Sequence, residues 1–359
     1  MPAGPWPKIV LSAFFVVALF IAAMEVRLAV RGFRPTATDS EWSWIVQRER
    51  ASQLGNRALI LVGASRVLLD VDLDVLRRAT GLEPVQLAID GSSFVPVLDD
   101  LAADPSITGT VLVGYQDNVI ASTDGESAAA GFIAAWQRHA RAHGIPTFSS
   151  MESALTDRVH GWLRSYADGA RPITSLVSRI VAPHPTPQYL ITMPDRSWLA
   201  DYSKVDMPGF YYGRVQRTLG ETVPAKPGMT WADLDAEIRR RIDAMPPADA
   251  SLVDERSQRI AAMVRKIEAR GGHVDVAAFP TDGLVRAIDE KRYPRATFLD
   301  RFAGIVGTKT ISPADVPALA AFKCPDGSHI DYRDRPAFTA ALTDALAGGV
   351  VATASHGGL

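Results

Sequence analysis

Residues 57–66 read Arg-Ala-Leu-Ile-Leu-Val-Gly-Ala-Ser-Arg, an unbroken apolar run that ends in a Gly-Ala-Ser turn. A strand that is apolar at every position has both faces covered, which is the mark of a parallel sheet inside an α/β domain. The pattern then repeats. Val85 to Ile89 (VQLAI) runs into Asp90-Gly91-Ser92-Ser93, and Thr110 to Val113 (TVLV) into Gly114-Tyr115-Gln116-Asp117-Asn118. Helical spacing fills the intervals: Asp72 to Ala79 with Leu73, Val75 and Leu76 inward and Gly81 as a stop, then Phe94 to Ala103, then Glu126 to His143 before Gly144. The rhythm returns with a helix over Asp254 to Ala269, a strand over His273 to Phe279 and a helix through Phe302. A short strand near Thr308 to Ile311 and a last helix from Pro336 to Leu346 complete it. Strands alternating with helices predict a parallel sheet with helices on both faces.

Two segments break this rhythm. Residues 149–247 carry aromatic and proline-rich stretches such as PHPTPQYLITMPDRSW and DMPGFYYGRV, and read as an insertion that forms a lid or a partner surface. Tyr211, Tyr212 and Trp198 within it suit sugar stacking, an apolar core or a partner contact. At the other end, Ile9 to Val30 is about the length that a bilayer core requires, with Glu25 and Arg27 able to reach the interface. A cleaved signal peptide is the alternative, but Ile21 fits poorly three residues before a cut after Ala23. The expected organisation is an anchor over 1–31, a juxtamembrane connector over 32–56, an α/β domain over 57–350 and a tail over 351–359. The connector is expected to hold a short helix around Glu41 to Gln53, with Trp42 and Trp44 near the membrane surface. Lys8 on one side of the span against Arg27, Arg31 and Arg34 on the other slightly favours a cytoplasmic body.

Composition excludes several classes. The chain has 38 basic and 40 acidic residues, a net charge of −2 and no block of like charges, so nothing points to nucleic acid. Its single cysteine, Cys324, rules out an internal disulfide and a cysteine zinc cluster. His139 and His143 are spaced as a helical ligand pair but have no evident third ligand, so no metal is expected. No organic cofactor is expected either.

The residues that suit chemistry sit at strand ends, where a parallel sheet presents its ligands. Ser65 follows the first strand as a nucleophile or as an ordinary helix cap. Asp326 and His329, spaced Asp-x-x-His before the last helix, offer a base and the carboxylate that fixes its tautomer, or a plain polar turn. Gly91 offers a backbone N–H and Gln116 or Asn118 a side-chain amide, the donors an oxyanion needs.

The order of these segments, GASR, IDGSS, GYQDN and DGSH, resembles the blocks of SGNH (GDSL-like) hydrolases: Gly-Asp-Ser, a glycine, Gly-x-Asn-Asp and Asp-x-x-His. The likeness covers residues 57–346 apart from the insertion and is nearest to the membrane-anchored branch found with alginate-type O-acetylation of cell-envelope polysaccharides. Ala64 stands where the family has aspartate, and Gln116 where it has its oxyanion asparagine. The resemblance implies a flavodoxin-like sheet and a Ser65–His329–Asp326 triad, with Ser65, Gly91 and Gln116 or Asn118 as oxyanion donors. It further implies a bacterial inner-membrane protein with a periplasmic domain, acting on an acylated glycan beside a membrane-bound O-acyltransferase. The competing expectation is an inactive scaffold that docks such a partner.

Overall fold

The computed structural model describes residues 6–142, 148–165, 179, 186–224 and 226–354. Its centre is a five-stranded, wholly parallel sheet in the order β2-β1-β3-β6-β7, built from β1 (Ala58–Val62), β2 (Glu83–Gln86), β3 (Thr110–Tyr115), β6 (His273–Ala278) and β7 (Thr310–Ile311). The two remaining strands, β4 (Leu190–Thr192) and β5 (Trp198–Ala200), form a separate antiparallel hairpin. The chain starts the sheet in its interior, moves to one edge, then crosses back and proceeds to the other, the order of a doubly wound sheet.

Alternation along each strand divides the core in two. Ile60, Val62, Val111, Val113, Val274 and Val276 face one side and pack against α2 (Glu41–Leu54), α5 (Val95–Ala103), α7 (Glu126–Arg141) and α11 (Val253–Glu268). Leu59, Leu61, Leu112 and Ala277 face the other, against α3 (Ser65–Asp70), α4 (Leu73–Thr80) and the last helix, α14 (Arg335–Ala354). Each aliphatic side chain buried here is worth about 1.5–3 kcal/mol, which is why the strands are apolar at every position. The expected strands and most helices hold with shifts at their ends, but the one helix expected through Phe302 is two, Gly283–Arg292 and Leu299–Val306, and the last helix runs on to Ala354. β2 starts at Glu83 rather than Val85, although Leu87 and Ile89 N–H still donate to the Leu61 and Gly63 carbonyls and carry the pairing onward.

The expected connector is corrected. Its helix α2 is a full member of the core: Trp44 is completely buried and its indole N–H donates to the Leu87 carbonyl at 3.0 Å, rather than lying at a membrane surface. Arg48, also buried, pairs with Asp100 on α5 at 2.6 Å and with Asp104, just after it, at 3.0 Å. α1 (Trp6–Val30) is the one helix among the described residues that is long and apolar enough to cross a membrane, with a mean hydropathy of 2.6 over its most apolar 18 residues. None of its most apolar window is buried.

The insertion contributes α8 (Phe148–His160), the β4–β5 hairpin, α9 (Met207–Leu219) and α10 (Trp231–Ala244). Arg196, wholly buried in the hairpin turn, fastens it to the end of β2 by donating to the Gln86 and Ala88 carbonyls at 2.8 and 3.1 Å and to Asp39 at 2.7 Å. α9 and α10 share a small core with α12 (Gly283–Arg292). There Tyr212 stacks on Trp231 at 5.2 Å, and the Tyr211 hydroxyl accepts from the Leu284 N–H at 2.7 Å. Tyr211 and Tyr212 are thus partly buried against this small core, and Trp198 packs against the clusters of the sheet and the hairpin.

Candidate active site

The loops that leave β1 and β3, and the turn before α14, meet at the carboxyl edge of the sheet, as strand polarity requires. Ser65 opens α3, with Ala64 in extended backbone as the residue before it. Gly63 is needed for close approach, not for a left-handed turn: a Cβ there would stand 2.5 Å from Val67 Cγ2, and one at Gly114 on the neighbouring strand 2.3 Å from the same methyl. Two glycines on adjacent strands thus let the start of α3 sink against the sheet, which aims Ser65 outward.

His329 comes from the other end of the sequence. Asp326 Oδ1 accepts from the backbone N–H of Ser328 and His329 at 2.9 and 2.8 Å, curling the turn so that Asp326 Oδ2 meets His329 Nδ1 at 2.8 Å. Gly327 makes that curl with φ +84 and a Cβ position only 2.6 Å from Val285, so any side chain there would be strained. His329 Nε2 then lies 2.9 Å from Ser65 Oγ. Asp326 and His329 are almost fully buried while Ser65 keeps partial exposure. The side chains expected to form a serine–histidine–aspartate chain therefore do so, across a sequence separation of 264 residues.

The electrostatics suit a base held neutral. Burial alone would raise the Asp326 carboxyl, but the bond and charge of His329, the Ser328 N–H and Arg214 outweigh it and hold Asp326 well below the usual carboxylate range. Burial pushes His329 down; Asp326 pushes back, and Arg214 and Arg66 add to the depression. Arg214 was not apparent in the sequence. It reaches in from α9 to place Nε 3.4 Å from Asp326 Oδ2, an ion pair without hydrogen-bond geometry.

Beside Ser65 opens a polar cavity of about 350 Å³, at the small end of ligand sites. Gln116, Asp117 and Asn118 line it from the end of β3, Arg217 and Thr218 from α9, and Asp289 and Arg292 from α12. Both amides expected as oxyanion donors thus border the same space as Ser65. Gly91, exposed and with φ +62, is not among the lining residues; the continued β2–β1 pairing brings its loop alongside the turn that holds Ser65. Arg66 crosses the floor, donating to Ser328 Oγ at 3.3 Å and pairing with Asp289 at 3.6 Å. Burial lifts Asp117 to about 6 against the hydrogen bond from the Tyr115 hydroxyl. These arginines and acids come from helices whose charged positions look like ordinary solvated faces in the sequence.

Among the described residues no group of three or more histidine, cysteine or acidic side chains is placed to hold a metal ion. His139 packs between Trp42 and Trp136, and its intended partner His143 lies outside the described residues. No protein-family model matches this sequence, and no curated protein matches it.

Proposed function

We infer that this chain is a membrane-anchored serine esterase or O-acyltransferase of the SGNH type, working on an extracytoplasmic acylated glycan. The observation that carries the reading is the hydrogen-bonded chain Ser65 Oγ–His329 Nε2–Asp326. A serine hydroxyl is too weak an acid to attack an ester unaided, and this geometry supplies the base and fixes its tautomer. His329, protonated on Nδ1 toward Asp326, takes the Ser65 proton at Nε2 as Oγ bonds to the acyl carbon. It then returns that proton to the leaving sugar oxygen. Water or a second hydroxyl, deprotonated by the same nitrogen, attacks the acyl carbon, and His329 returns that proton to Ser65 Oγ as its bond to the acyl group breaks.

The charge on the carbonyl oxygen needs donors at about 2.7–3.1 Å. The Ser65 N–H, in the first turn of α3 where amides have no intrahelical acceptor, is one. The side-chain amide of Gln116 or Asn118 is a second, and the Gly91 N–H a third from the adjoining strand end. No cofactor enters these steps. α1 holds the domain at the inner membrane of a bacterium, with its body in the periplasm next to a membrane-bound acyl donor.

The test is labelling of the full chain in detergent with a fluorophosphonate probe. Labelling that disappears in Ser65→Ala and in His329→Ala supports the reading. A wild-type chain that refuses the probe overturns it and leaves the alternative of an inactive scaffold that docks an envelope acyltransferase.

A further inference from the structure

The geometry points to a second lipid contact: α8 and Trp162 lie on the bilayer surface beside the foot of α1, so that the domain is held by an interfacial helix as well as by its anchor. This rests on α1 being a membrane span. α8 presents Met151, Leu155 and Val159 at four-residue intervals, and Trp162 continues the stripe one turn on. Met151, Leu155 and Trp162 are each more than 60% exposed, which is unusual for large apolar side chains sharing one helical face. The opposite face is committed to the protein, since α8 packs against α2 and the Ser40 hydroxyl donates to Asp157 at 2.8 Å.

What covers the stripe is indicated by its attachment. Glu25, near the end of α1, accepts from the backbone N–H groups of Arg164 and Ser165 at 2.7 and 2.9 Å. At 1.5 Å per residue Glu25 lies about 28 Å along the helix from Trp6, close to the roughly 30 Å thickness of a hydrocarbon core. A carboxylate at that depth marks the water interface, and Trp162 is tied to it within three residues of chain. Tryptophan is the residue that such interfaces favour. The Arg158 guanidinium stands 5.7 Å over the Trp162 ring, a cation at the level of lipid phosphates. Apolar stripe, tryptophan and arginine at the end of an apolar span together describe an interfacial helix.

The test uses the full chain in nanodiscs of phosphatidylcholine and phosphatidylglycerol, on a Cys324→Ala background. An environment-sensitive dye is attached in turn at Leu155→Cys, Val16→Cys and Arg240→Cys, the last a solvent-exposed control on α10. Nitroxide lipids labelled near the headgroup or near the chain end then act as quenchers. The expected result is quenching at position 155 at least about twofold above the control, strongest with the headgroup-proximal label, and at position 16 strongest with the chain-end label. Quenching at 16 with none at 155 overturns the interfacial helix and leaves the anchor standing. No quenching at either position overturns the anchor, and the inference falls with it.

Discussion

Replacing Arg214 with glutamine should move the acid limb of catalysis upward. Arg214 Nε lies 3.4 Å from Asp326 Oδ2, and that same oxygen lies 2.8 Å from His329 Nδ1, so the guanidinium stands within about 6 Å of the ring proposed as the base, which must be neutral to accept a proton. At an effective dielectric between about 20 and 80, two unit charges at that distance repel by roughly 0.7–2.8 kcal/mol, or about half to two pKa units. Burial and the two nearby arginines depress His329 in the native protein. Removing one positive charge relieves part of that depression and leaves Asp326 a stronger acceptor, so both effects raise His329. The base is active when unprotonated, so on the acid limb kcat/KM should fall by about threefold to a hundredfold, with the alkaline plateau unchanged. The assay is the pH profile of p-nitrophenyl acetate hydrolysis by the full chain. Asp117, lifted to about 6 by burial, lines the same cavity as Ser65, so the comparison is repeated on an Asp117→Asn background. Arg214→Lys, which keeps the charge, should restore the native limb. An acid limb that stays in place or moves down, or a lysine variant that shifts as far as the glutamine one, refutes the electrostatic role.

Asp326→Asn should lower kcat by about 10⁴-fold, because the amide stabilises the wrong tautomer of His329; the rate of phosphonate labelling, measured beside KM, should fall in step with kcat. Asp70 is fully buried, accepts the Ile330 N–H at 2.9 Å through one oxygen and has no hydrogen-bond partner for the other, and burial holds its carboxyl well above the usual range. The folded state therefore keeps a proton that the unfolded chain releases above about 3.9, and stability is lost as pH rises between those two values. Asp70→Asn, whose carbonyl can still accept from Ile330, should raise the thermal midpoint at neutral and alkaline pH more than at pH 5, as read by differential scanning calorimetry; an equal effect at both would contradict it. Trp44→Ala should cost about 3–5 kcal/mol in urea denaturation, whereas a loss under 1 kcal/mol would return α2 to the role of connector.

The sheet was legible because its physics is local. A run such as ALILV, apolar at every position and closed by glycine, has few alternatives to a strand buried on both faces, and strand polarity then carries Ser65, Gln116 and the turn of His329 to one edge. The Asp326–Gly327–Ser328–His329 turn was legible for the same reason, since its bonds lie within four residues. What escaped was whatever depends on packing between distant segments. Trp44 looks like a membrane-proximal tryptophan until β2 is seen to offer it the Leu87 carbonyl. Arg196 occupies left-handed backbone at φ 66 in a polar turn, and only the fold shows that its guanidinium closes the end of β2. Arg214 and Arg217 sit on one insertion helix, three residues apart, where sequence spacing says no more than that they share a face. In the folded chain that spacing sends Arg214 to Asp326 and Arg217 to the cavity beside Ser65. The insertion thereby does more than cover the sheet: through one helix it reaches both Asp326, the proposed partner of the base, and the cavity beside Ser65. A change in how α9 docks would alter the charge around His329 and the shape of the cavity together, which ties the reactivity proposed for Ser65 to the part of the chain that departs furthest from the strand–helix rhythm.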